Sequence, residues 1–428
     1  MIDQERFNSS SMIKNYDKIV FSVRGSMGDI VPILYLAKMV AKIYSNAEIH
    51  ILSNENWRGL CVGNGFHFHG VCDAEPPYEE WDRLWFAKNT NFFVNYHSSY
   101  FHNTYDFLAS LHKCRDAIEV YGAVGAFGAG AHGAFAACER FNIKHFGVCL
   151  QPFVCDIDES QFSLTTLSKS ILRGDVISTA RRLIKHGYRF RPLADELRRK
   201  VANLPPAGVS SLPSGGLSIG LYPDWFGAPK TKQGASVKCI TFPDANAILG
   251  NRISINPELN KFIIDEGKPI VLLSSTAFSH INPIFDVANE LGDRLGKPVV
   301  VITSNADHSI NTENSKIFVT KFVDLHWLLS RAHIVIHQGG IGNVANAIRA
   351  GIPQIISPTG YDTPDNGDRV TKLGLGKIIP NNMFNTNNIS SMIDEINEDS
   401  NIIDNVYKAK IRLEGVDFFS NLANAVAS

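Results

Sequence analysis

Residues 333–357 read HIVIHQGGIGNVANAIRAGIPQIIS, and no other segment constrains the fold as strongly. His333–His337 is a β-rich apolar run. Gly339, Gly340 and Gly342 then form a turn that bulky side chains would not tolerate. The spacing predicts a helix from about Asn343 to Ala350, stopped by Gly351 with Pro353 just beyond. Gln354–Ser357 returns to strand. Strand, glycine-rich turn, helix and strand leave backbone N–H groups at a helix N-terminus, where the dipole favours negative charge. With His337 at its lip, able to donate a hydrogen bond to a phosphate oxygen, the segment suits a diphosphate.

The same alternation runs through both halves of the chain. The first half opens with strand Lys18–Arg24, the turn Gly25–Asp29 and a helix from about Ile30 to Tyr44. Further apolar runs fall at Ile49–Ser53, Phe66–Val71, Ala123–Phe127 and His145–Leu150. In the second half, strands are expected at Pro269–Ser274, Pro298–Ile302, Lys316–Thr320, His333–His337 and Gln354–Ser357. Helices are expected at about Asn282–Leu295, at Leu325–Arg331 and after Pro364, where Thr363 caps and Gly374 ends the element. Strands alternating with helices imply an α/β chain with parallel sheets covered on both faces. At 428 residues the chain suits two domains of roughly 200 residues each. Their expected bounds are 15–240 and 255–405, with a linker between about Thr241 and Glu258 and a terminal helix over 406–428.

Bulk properties narrow the function. A net charge of −1 gives no global field toward nucleic acid. The first 18 residues are polar and mixed, without a signal-peptide apolar stretch, and no run reaches transmembrane length. Seven cysteines without a Cys-x-x-Cys pair point to reduced core thiols in a cytoplasmic protein. Residues 171–200, inside a helical insertion at about 162–204, hold nine Lys/Arg against three Asp/Glu. The plain reading is a solvated helical pair; the sharper one is an acidic acceptor or peripheral contact with an anionic membrane. Residues 85–107 carry nine aromatics, Trp85, Phe92, Phe93, Tyr96, Phe101 and Phe107 among them. Either they build an apolar or aromatic acceptor pocket, or they are core. The histidines His97, His102 and His112 lack ligand geometry, and no metal site is expected.

His337–Gly342 and Asp362–Asn366 resemble the nucleotide-sugar signature of GT-B glycosyltransferases. The likeness is to rhamnosyltransferase-like, sterol glucosyltransferase-like and glycopeptide enzymes. The chain keeps the His, the glycines, the Asp, the Pro and the Asn of that signature. It departs at Asn343, where Thr or Ser is usual, and at Thr363, where Gln is usual. The resemblance implies two Rossmann-like domains facing across a cleft, with a C-terminal helix crossing back to the first.

It also implies roles. The donor, a UDP- or dTDP-sugar acting as co-substrate with no other cofactor, would lie against the second half. Its diphosphate would meet His337, Gly339, Gly340, Gly342 and Asn343, together with Ser275 and Thr276, where the family has Gly-Thr or Gly-Ser. Asp362 and Thr363 would hold the sugar, and Val323 backbone atoms the base. Asn366 and Arg369 belong to the same motif, Arg369 also reading as a surface residue. Gly25-Ser-Met-Gly-Asp29 resembles a turn whose Asp is the proposed general base, so Asp29 is either that base or a helix cap. His132, in the loop after strand Ala123–Phe127, is a second candidate base. Tyr222–Phe226 is expected near the domain junction. The activity implied is inverting, metal-independent glycosyl transfer to a hydroxyl of an apolar acceptor. The alternatives are a non-catalytic nucleotide-sugar-binding partner subunit, suggested by the departures at Ser275, Asn343 and Thr363, and an epimerase of the same architecture, against which the Asp29 turn and the aromatic segment argue.

Overall fold

The computed structural model describes residues 15–74, 90–124, 131–152, 193–206, 217–227, 236–250, 255–274, 283–303, 316–359 and 362–427. Among them, the first half forms a parallel sheet of β1 (Lys18–Ser22), β2 (Glu48–Asn54), β3 (His67–Cys72), β4 (Ile118–Val124), β5 (Lys144–Cys149), β6 (Leu217–Gly220) and β7 (Ser236–Cys239). Its order is β3-β2-β1-β4-β5-β6-β7. The second half forms a parallel sheet of β8 (Ile270–Ser274), β9 (Val299–Thr303), β10 (Ile317–Thr320), β11 (Ile334–His337), β12 (Gln354–Ile356) and β13 (Gly376–Ile378). Its order is β10-β9-β8-β11-β12-β13. Both sheets reverse direction of growth once, beside their first strand, as a Rossmann-like sheet does.

The strand sequences explain this layering. KIVFS, IVLLS and IVIH are near-continuous apolar runs because helices cover both faces. Alternate residues serve opposite cores. Ile19 and Phe21 pack with the helix Met27–Ile43 on one face, and Val20 packs with Tyr100 and Leu108 on the other. In the second sheet Ile270 and Leu272 face Ile284 and Leu291, whereas Val271 and Leu273 face Leu328 and Leu329.

Several elements differ from the sequence reading. The strand expected at Ala123–Phe127 runs over Ile118–Val124 instead. Its second residue, Glu119, is fully buried, which a reading by hydropathy places outside a strand. The carboxylate is met from its own strand and from the next: Tyr121 donates to it at 2.6 Å and the Lys144 ammonium lies 3.1 Å away. Tyr16 and Tyr44 close around it, and burial together with this carboxylate pushes their hydroxyls far above the usual phenol range. Strands β6, β7 and β13 were not anticipated, being three or four residues long. Residues 162–192 of the basic insertion lie outside the described residues. Where the segment is described, Arg198 is buried and pairs with Glu139 at 2.8 Å.

The end of the chain ties the halves together. The helix Ser400–Glu414 places Val406, Ala409 and Leu413 against Val344, Ala345 and Ile348 of the second half. The helix Phe418–Val426 then docks on the first half. Asp417 caps it, Phe418 meets Tyr35 edge-on with ring centroids 4.8 Å apart, and Asn421 donates to the Ile240 carbonyl at 3.3 Å. Tyr222 and Phe226 join the same apolar cluster as Val344, at the junction of the halves. Arg349 donates to the Phe242 and Pro243 carbonyls, at 2.6 and 2.7 Å. Among the described residues, no helix is long and apolar enough to cross a membrane.

Candidate active site at the facing rims

In open α/β sheets, ligands bind beyond the carboxyl ends of the strands where the strand order reverses. In the first sheet that point lies between β1 and β4, in the second between β8 and β11. Asp29 and His132 stand just beyond β1 and β4, each at the start of a helix, and the glycine turn stands just beyond β11. The expected sites Ser275 and Thr276 lie outside the described residues. The two rims approach each other: the Asp29 charge is among the influences that raise the pKa of Asp362.

On the donor rim, the helix Ile341–Ala350 begins at Gly340, which has no side chain to cap it. Its first N–H groups therefore have no intrahelical acceptor and point out of the helix. The glycines differ in what they do. Gly339 sits at φ +95, and a Cβ there would fall 2.7 Å from Ile356 and 3.0 Å from the Thr363 carbonyl, so the fold itself demands glycine. At Gly342 a Cβ would meet nothing within 4 Å. Packing does not require that glycine; it leaves open space above the N–H groups. Asn343 is the third helical residue, and Gly340 holds the cap position.

His337 also departs from expectation. It is fully buried; its Nδ1 accepts the Gly339 N–H at 2.9 Å, so Nε2 carries the proton and donates to Gln354 Oε1 at 3.0 Å. Burial pushes its pKa down to about 4, with the Gln354 hydrogen bond opposing. Both ring nitrogens are engaged, and neither is left to donate to a phosphate oxygen. The imidazole fixes the turn from below.

Asp362 stands where the chain enters the helix Thr363–Lys372. Burial raises its pKa to about 7, the repulsion from Asp29 and Asp365 adding to it and hydrogen bonds opposing it. It makes no side-chain cap, so Asp362 rather than Thr363 holds the cap position, and it does so through its backbone. The Thr363 hydroxyl accepts the Thr359 N–H at 3.1 Å. Asn366 is buried; its Nδ2 donates to Asp362 Oδ2 at 2.9 Å and to the Gly339 carbonyl at 3.0 Å. Arg369 is not a surface residue: it pairs with Asp365 at 2.7 Å and reaches the Phe226 carbonyl of the first half at 3.3 Å. The Val323 side chain is buried, leaving its backbone for any ligand, beside a strongly exposed Phe322.

On the opposite rim, the helix after β1 starts at Met27 with Ser26 as its cap. Asp29 is the third residue and closes a capping box: its Oδ2 accepts from Ser26 N at 2.7 Å and Ser26 Oγ at 3.0 Å. Gly25, at φ +127, makes room, since a Cβ would lie 2.3 Å from that oxygen. Asp29 is partly exposed and held in one orientation at the cleft. His132 opens the helix His132–Phe141, and burial, with Arg24 and Arg198 adding to it, pushes its pKa down to about 4.

Arg24 was missed by the sequence reading. It is buried, donates toward His97 Nδ1 at 2.8 Å, and lies 5.1 and 5.3 Å from the ring centres of Tyr96 and Tyr100. Its signal is an arginine ending an apolar strand immediately before a glycine turn. Tyr96, Tyr100, Phe101 and Tyr105 are buried in the core beneath the sheet, so these aromatics are packing, not an acceptor lining. Trp85 and the side chains of Phe92 and Phe93 lie outside what is described.

Two Rossmann-like sheets with facing rims and a returning terminal helix define the GT-B glycosyltransferase fold. The glycotransferase of kitacinnamycin shares this fold over 97% of the present chain and 98% of its own, with a TM-score of 0.69 at 15% identity. The glycosyltransferase VinC, solved in complex with dTDP, shares it over 96% and 98%, with a TM-score of 0.66 at 16% identity. Residues 287–412 match the family described as Erythromycin biosynthesis protein CIII-like, C-terminal domain. Glycosyltransferase GtfE of Amycolatopsis orientalis is 33% identical over 129 residues, 30% of this chain and 31% of GtfE. The O-mycaminosyltylonolide 6-deoxyallosyltransferase of Streptomyces fradiae is 28% identical over 120 residues, 28% of each. These matches thus span about a third of the curated relatives' length or less.

Proposed function

We propose that the protein is a glycosyltransferase that moves a sugar from a UDP- or dTDP-sugar to a hydroxyl of an apolar natural-product or lipid acceptor, with inversion and without a metal. The observation that carries this reading is the uncapped helix start at Gly340–Gly342, open to a diphosphate, beside the half-buried Asp362 carboxylate, which feels the charge of Asp29 across the cleft. The relatives named as glycosyltransferases, and the dTDP-bound neighbour, support it.

In this reading the diphosphate lies on the N–H groups of Gly340 to Gly342. Those dipoles and the helix macrodipole meet the charge that develops as the sugar–phosphate bond breaks. Such stabilisation is the part a metal would otherwise supply. Asp362, with Thr363 beside it, accepts hydrogen bonds from sugar hydroxyls. The acceptor hydroxyl enters from the first half and gives its proton to Asp29, attacking the face of the anomeric carbon opposite the leaving diphosphate. Asp29 is taken as the base because Ser26 holds its carboxylate in one orientation at the cleft, whereas burial pushes the pKa of the His132 imidazole down to about 4.

The test is turnover. Incubated with a panel of UDP- and dTDP-sugars and hydroxylated apolar acceptors, the protein should release the nucleoside diphosphate in an acceptor-dependent way and form a glycoside. A protein that binds a donor yet neither transfers nor slowly hydrolyses it would be the non-catalytic subunit, the reading favoured by the engaged nitrogens of His337.

A further inference from the structure

Five residues form one hydrogen-bonded chain beneath the donor rim: Gln354, His337, Gly339, Asn366 and Asp362. Gln354 Oε1 accepts from His337 Nε2 at 3.0 Å, and His337 Nδ1 accepts the Gly339 N–H at 2.9 Å. The Gly339 carbonyl accepts from Asn366 Nδ2 at 3.0 Å, and the same Nδ2 donates to Asp362 Oδ2 at 2.9 Å. Gly339 is therefore held by both its N–H and its carbonyl, in the positive-φ conformation that sets the turn. The Asn366 amide has two hydrogens, and this geometry spends one on each acceptor. Turned over, it would present its carbonyl oxygen to two acceptors. The carboxylate of Asp362 thus fixes which way the amide points.

We propose that Asn366 is a positioning residue that couples the two ends of the donor site: Asp362, which takes the sugar, also sets the turn that takes the diphosphate. This rests on the donor reading above and deepens it. The consequence is specific. A nucleoside diphosphate without a sugar does not reach Asp362, yet its affinity depends on that side chain. Electrostatics alone predicts the reverse, since removing a carboxylate near the site should favour a polyanion.

The experiment is calorimetric titration of UDP and dTDP, neither carrying a sugar, into the full chain and its variants, each checked for folding by its melting midpoint. Asp362→Ala should weaken binding about 3–10-fold, the loss of one orienting hydrogen bond. Asp362→Asn, whose side-chain carbonyl still accepts from Asn366, should bind within about 2-fold of the natural protein. In an Asn366→Ala background, Asp362→Ala should add nothing. Unchanged or tighter binding by Asp362→Ala, or effects that simply add, would overturn the coupling and leave the donor site standing. Failure of the natural protein to bind either nucleotide would overturn the donor reading and the coupling with it. If Asn366→Ala does not fold, the contrast between the two Asp362 variants decides alone.

Discussion

The donor rim separates glycines that build the turn from glycines that leave room above it. Gly339→Ala places a Cβ against Ile356 and the Thr363 carbonyl at positive φ. It should cost roughly 1–3 kcal/mol, read as a lowered melting midpoint. Gly342→Ala meets no protein atom; its melting midpoint should hold while nucleotide affinity falls, because the added methyl occupies the cradle. Asp362 carries a pH prediction. Its pKa is raised to about 7 in the fold, so the native state holds a proton that the unfolded chain has already released. Its stabilising contribution is full below about pH 4 and is lost as pH rises to about 7. Asp362→Asn should therefore gain stability over the natural protein at pH 8 but not at pH 4, as compared by thermal melts. Across the cleft, Asp29→Asn should lower turnover by orders of magnitude with little change in donor affinity; near-normal turnover would remove Asp29 as the base. The residue types at these positions were legible from their local pattern. The role of His337 was not. Its partner Gln354 lies on the neighbouring strand, and only the pairing of β11 with β12 brings the two together.

At the scale of elements, strands with unbroken apolar runs were legible, because burial on both faces needs nothing but local sequence. Strand β4 was displaced because Glu119 belongs to it, and a buried carboxylate is tolerable only where distant groups meet it. Those groups, Tyr121 excepted, come from other elements: Tyr16, Tyr44 and Lys144. The same Lys144 donates to the Val426 carbonyl at 3.2 Å, fastening the terminal helix. That helix is a stability element of the first half. Phe418 is buried in the core that holds Tyr35 and Ile33. Phe418→Ala should cost about 3–5 kcal/mol. Denaturant unfolding monitored separately for the two halves, with labels on each sheet, should show the loss first in the first half.

The whole molecule brings two switch points into one cleft. In the proposed function neither rim suffices alone: the first brings the carboxylate of Asp29, the second the helix start at Gly340 with the carboxylate of Asp362 beside it. Arg369 reaching Phe226, and Arg349 reaching Phe242 and Pro243, set the distance between them. The division into two similar halves was legible from alternating strands and helices; their mutual orientation was not, because it rests on these side chain to backbone contacts across the junction. Crystals grown with saturating UDP or dTDP should show phosphate oxygens within hydrogen-bonding distance of the N–H groups of Gly340 to Gly342. A nucleotide bound elsewhere, or a cradle left empty at saturation, would contradict the proposed donor site.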